Sequence, residues 1–118
     1  MYKYVKHLSY PVNVTKKDLK MAKLIITQVG GYAGELGATL RYFSQKYTMP
    51  DEKGRALLND IATEEIGHLE MVATIVSQLM ENATLEEIKE AGLESYYTEH
   101  GKGIYPMNAS GIPFDAST

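Results

Sequence analysis

The chain has no cysteine, which excludes disulfides, thiolate metal sites and a thiol nucleophile. Positive charge is not in excess. Lys and Arg number 12 against 15 Asp and Glu, for a net charge of −3, and this leaves no footprint for nucleic acid or an anionic membrane. There is no run of about 18 apolar residues, the length a membrane-crossing helix needs. The opening Met1-Tyr2-Lys3-Tyr4 lacks the apolar core of a signal peptide, so an intracellular, cytoplasmic location is expected. Phosphate loops, nucleophile elbows and basic aromatic patches are missing, as are internal repeats and low-complexity stretches. What remains is a chain of 118 residues, 44% hydrophobic and 23% charged. Those values suit a single globular domain with a modest core.

Leu58 to Leu79 organises the rest. Steps of three and four pick out Leu58, Ile61, Glu65, His68, Val72, Ile75 and Leu79, one continuous helical seam. Five of these positions are apolar. The other two, Glu65 and His68, sit side by side in the middle at i and i+3. A carboxylate and an imidazole on a packing seam must lose water, which is costly without compensation. A metal ion compensates both, and Glu-x-x-His is the spacing with which helical bundles hold paired metals in their cores.

The flanking segments supply a partner. Residues 1–15, with apolar side chains at mostly even positions and Pro11 among them, predict an extended arm. Thr15 is the expected cap of a first short helix. Gly30-Gly31 interrupts that helix, and a second is expected from about Tyr32 to Tyr47. The face of this second helix runs through Glu35, Ala38, Thr39, Tyr42 and Lys46. Thr48-Met49-Pro50 breaks the chain, with Thr48 or Met49 expected to cap and Pro50 in the first turn. A long helix then runs from about Asp51 to Met80. The break is short, so the two helices should be antiparallel neighbours, with Glu35 nearly level with Glu65 and His68. Thr84-Leu85-Glu86-Glu87 is a capping box opening a last short helix that stops at Gly92. Residues 93–118, rich in Gly and Pro, read as an irregular tail.

Glu35, Glu65 and His68 thus form a candidate metal site, with ligands suited to manganese, iron or zinc. Redox metals held in a pair favour peroxide or dioxygen chemistry. A buried Glu–His hydrogen-bonded pair is the alternative. His7 and His100 read as surface residues, Glu64 and Glu70 as solvated. Tyr42 is a candidate partner for a ligand carboxylate, or a packing residue.

Three segments carry a resemblance: Gly30-Gly31-Tyr32-Ala33-Gly34-Glu35-Leu36, Ala62-Thr63-Glu64-Glu65-Ile66-Gly67-His68-Leu69-Glu70-Met71, and Tyr105-Pro106-Met107-Asn108-Ala109-Ser110-Gly111-Ile112-Pro113. Together they closely resemble the manganese catalase family, nearest to its short spore-coat (CotJC-type) branch. The resemblance implies an all-α, ferritin-like four-helix bundle. It also implies two manganese ions per complete site, with iron as the alternative, and disproportionation of hydrogen peroxide. Glu35, Glu65 and His68 would be ligands, with Glu65 bridging. In the family a second helix pair supplies another Glu and another His. The chain is therefore expected to be an antiparallel helical hairpin, half of the bundle, truncated at the start of the second half or paired through its seam with a second copy. Homo-oligomerisation is expected, with hydrogen peroxide as substrate and other spore-coat proteins as further candidate partners. A ferroxidase-like diiron protein and a non-catalytic spore-coat or assembly protein are the rival readings.

Overall fold

The computed structural model describes residues 3, 5, 7–30, 33–94 and 112. Among them are five helices and no strand: α1 (Leu19–Ile25), α2 (Thr27–Gly30), α3 (Glu35–Lys46), α4 (Glu52–Leu79) and α5 (Leu85–Glu90). The first three run antiparallel to α4 along its length. Near the turn the Lys46 ammonium donates to Asn59 Oδ1 at 2.6 Å, and about ten residues further along both helices Glu35 meets His68. The all-α hairpin expected from the periodicity is present.

The caps differ from expectation, for a shared reason. Asp18, not Thr15, caps α1, accepting from the Met21 N–H at 3.0 Å. Its own N–H donates to the Leu79 carbonyl at 2.9 Å, which ties the start of α1 to an otherwise unpaired carbonyl at the end of α4. Asp51, not Thr48 or Met49, caps α4 by accepting from the Gly54 N–H at 2.7 Å. Pro50 therefore precedes the cap rather than entering the first turn. A carboxylate also complements the positive end of the helix dipole, which a hydroxyl does not. The Thr48 hydroxyl is already engaged, donating to the Gln45 carbonyl at the close of α3. Likewise α3 begins at Glu35 with Gly34 as its cap, later than the expected start near Tyr32, which lies outside the described residues.

The end of the chain's helical part follows its sequence signals closely. Thr84 and Glu87 form the reciprocal capping box. Gly92, at φ +71°, lets the chain turn back so that the Leu93 N–H reaches the Ile88 carbonyl and the Gly92 N–H the Lys89 carbonyl. This paired closure brings the residue beyond the turn onto the helix's own apolar face. Leu93 and Ile88 accordingly enter the core with Ala22, Ile26, Val76, Leu79 and Met80. That core lies between α1, α5 and the last turns of α4. Among the described residues no buried side-chain polar atom lacks a partner.

Among its described residues the arm forms neither helix nor strand and lies along α4. Gln78 holds it, its Nε2 donating to the Val12 carbonyl at 3.1 Å and its Oε1 accepting from the Val14 N–H at 2.6 Å. The tail, apart from Leu93, Glu94 and Ile112, lies outside the described residues.

Candidate metal centre

Glu35 is the first residue of α3, placed there because Gly34 gives the extended turn that starts the helix. Glu65 and His68 lie one turn apart in the middle of α4. Antiparallel packing levels the two helices and brings all three side chains together. One ligand atom from each falls within a group whose members are all within 4.8 Å of one another. His68 Nδ1 stands 3.4 Å from Glu65 Oε2 and 3.9 Å from Glu35 Oε2. The side chains are 44% exposed for His68, 27% for Glu35 and 16% for Glu65. The pocket is therefore lined on the hairpin side and open beside His68.

These distances bear on both readings of the pair. A good N–H···O bond is about 2.7–3.2 Å, so 3.4 Å is long for a Glu–His hydrogen bond. Ligand atoms sharing one cation at about 2.1 Å stand about 3.0–3.5 Å apart when adjacent and about 4.2 Å apart when opposed. Separations of 3.4 and 3.9 Å belong to that range.

The electrostatics agree. The Glu35 carboxyl is pushed up from 4.5 to about 6. Its hydrogen bond with Glu65 is the largest cause, followed by burial and by repulsion from the Glu65 charge, while His68 pulls the other way. Two carboxylates facing each other at a helix start want a positive charge that these three side chains do not fully supply. A divalent cation would supply it, and the donor set of two carboxylate oxygens and one imidazole nitrogen suits manganese or iron.

The other sequence candidates stand apart. His7, Glu64 and Glu70 are exposed, and His100 lies outside the described residues. Tyr42 is half-buried on α3. Thr39, on the Glu35 face, is buried and donates its hydroxyl to the Glu35 carbonyl at 2.8 Å. Sequence reasoning missed the clasp made by Gln78. Its signal was a lone amide side chain beside the apolar seam, with two extended backbone groups in the arm needing partners.

No helix among the described residues is long and apolar enough to cross a membrane. Residues 1–118 match the family model described as manganese containing catalase. The chain is 50% identical over 117 residues to protein CotJC of Bacillus subtilis, covering 99% of this chain and 61% of that one. It is 32% identical over 127 residues to a Bacillus subtilis manganese catalase, covering 97% of this chain and 46% of the relative. Its structure aligns with the crystal structure of KatB, a manganese catalase from Anabaena, at a TM-score of 0.78 and 28% identity. That alignment covers 99% of this chain and 52% of KatB. The chain thus spans about half the length of most of these relatives.

Proposed function

Because this chain belongs to the manganese-containing catalase family, we propose that it provides one half of a dimanganese site that disproportionates hydrogen peroxide to water and dioxygen. The observation carrying this reading is the convergence of Glu35, Glu65 and His68 at distances suited to a shared cation. When bound, a pair of manganese ions supplies the reversible electron storage that peroxide disproportionation requires.

The chain's own residues divide the remaining work. Glu65, the most buried of the three, would bridge the metals, and Glu35 and His68 would serve as terminal ligands. With no cation, the Glu35 carboxyl holds a proton up to about pH 6. Giving up that proton on loading keeps the pocket's charge nearly balanced. Thr39 anchors the Glu35 backbone from one turn further along.

The described residues bring no further ligand to this group, so the remaining ligands and a cover over His68 would come from elsewhere. A longer chain's second half would serve, and so would a second copy paired two-fold through the seam, giving a homo-oligomer. Either would also bury apolar side chains that stand exposed here, such as Leu24 at 67% and Leu57 at 60%. The half-identity to CotJC supports the spore-coat branch read from the three motifs, and with it a place in the coat or the cytoplasm and coat proteins as partners.

Metal analysis combined with an oxygen electrode tests the proposal. Manganese retained by the purified protein, with oxygen released on adding peroxide, is the expected result. Manganese-loaded protein that releases no oxygen would overturn it. Iron retained with dioxygen consumed would instead mark a ferroxidase-like protein.

A further inference from the structure

His68 stands on a helix that α1 and α3 hold from the front, and the arm lies along its back. Gly67, next to His68, lies about 160° round the helix from Glu65. A Cβ added at Gly67 would stand 2.7 Å from Ser9 Oγ but 3.6 Å from Ser9 Cβ. The Ser9 hydroxyl therefore occupies the space that a side chain at position 67 would need. Further along, the Gln78 amide takes the place that a neighbouring strand would take, pairing the Val12 carbonyl and the Val14 N–H. Those two groups point the same way in an extended chain, so one planar amide reaches both.

The two contacts lie about 16 Å apart along α4, at 1.5 Å per residue, and they are joined by the short segment from Ser9 to Val14, which bends at Ser9 and Tyr10.

We infer that the arm is a brace, seated on α4 at Gly67 and at Gln78, that steadies the helix beside His68, with Gly67 and Gln78 as positioning residues for the metal cluster. The consequence for metal rests on the function proposed above; the bracing itself does not. Glycine is otherwise the wrong residue in mid-helix, and alanine would be the better helix former. Here it leaves room for the Ser9 hydroxyl of the arm.

The test uses the full chain with Gln78→Leu, Gly67→Ala, Ser9→Ala and the double variant Gly67→Ala/Ser9→Ala. Two quantities are read: amide hydrogen exchange over residues 64–71 in metal-free protein, and Mn²⁺ affinity from loss of the free-ion EPR signal. Gln78→Leu and Gly67→Ala should each speed exchange there and weaken Mn²⁺ binding about tenfold, as loss of a group that orients a ligand does. Ser9→Ala should restore both in the Gly67→Ala background, because it removes the one atom the new Cβ would strike. A merely stabilising arm would change exchange in these variants and leave Mn²⁺ affinity at the wild-type value. Wild-type exchange and Mn²⁺ affinity in Gln78→Leu would overturn the brace, as would Gly67→Ala left unrescued by Ser9→Ala. If the wild-type protein binds no Mn²⁺, the catalase reading fails and the exchange pattern alone decides the brace.

Discussion

At one end of the hairpin, α1, α5 and the last turns of α4 enclose a closed apolar core in which Ala22, Val76, Ile88 and Leu93 are each at most 3% exposed. Towards the other end, the start of α3 and the middle of α4 hold two carboxylates and an imidazole, and the His68 side chain is 44% exposed. The closed end is finished by its own sequence: the Asp18 cap, the Gln78 clasp and the turn at Gly92 satisfy its backbone groups. The open end carries unbalanced negative charge, and among the described residues nothing covers His68. Stability is therefore concentrated where there is no chemistry, and the chemistry sits where the fold can tolerate polar groups without unfolding.

Substitutions at the two ends should separate these properties. The largest effect is expected for Leu93→Ala, which empties a fully buried position at the closed end. Urea unfolding should show a loss of about 3 kcal/mol, with the Mn²⁺ affinity of the folded protein unchanged. His68→Ala should do the reverse. Calorimetric titration should show Mn²⁺ binding weakened by about 100-fold or about 2.7 kcal/mol, with the urea midpoint near that of wild type. Thr84→Ala removes the hydroxyl that caps α5 and should cost about 1 kcal/mol of stability, again without touching metal affinity.

Glu35→Gln is expected to have the smallest effect on stability, and the opposite sign. Removing one of two facing carboxylates should stabilise the metal-free protein by about 0.5 kcal/mol after solvent screening, while weakening Mn²⁺ binding. The sign follows from the direction of the shift. Glu35 titrates at about 6 in the fold against 4.5 for a free carboxylate, so the folded state holds the proton more tightly. Its contribution to metal-free stability is full below pH 4.5 and is lost as the pH rises through about 6. In Glu35→Gln that part of the pH dependence should vanish from urea titrations. Metal loading has the opposite trend, falling as the pH drops below about 6 because the proton competes for the same oxygen.

The closed and open ends were also unequally legible in the sequence. The seam from Leu58 to Leu79, the antiparallel turn and the levelling of Glu35 with His68 follow from periodicity and helix rise alone, because repeated spacing leaves few ways to pack. The capping box at Thr84 and the stop at Gly92 were readable because each is a local signal. The starts of α1 and α4 were misplaced by up to three residues. Several nearby side chains could cap in each case, and the choice was made by a distant group, the Leu79 carbonyl for Asp18. The Gln78 clasp and the close approach at Gly67 join residues more than fifty positions apart, and no periodicity encodes them. The cluster itself was legible as three residues. Its donor distances and the elevated Glu35 carboxyl needed coordinates.

The central claim is that Glu35, Glu65 and His68 share a bound cation. Anomalous diffraction at the manganese edge from crystals grown with Mn²⁺ tests it most directly. A peak about 2.0–2.3 Å from a carboxylate oxygen of both glutamates and from a His68 ring nitrogen is the expected result. Manganese bound elsewhere, with His68 still 3.4 Å from Glu65 and nothing between them, would contradict it.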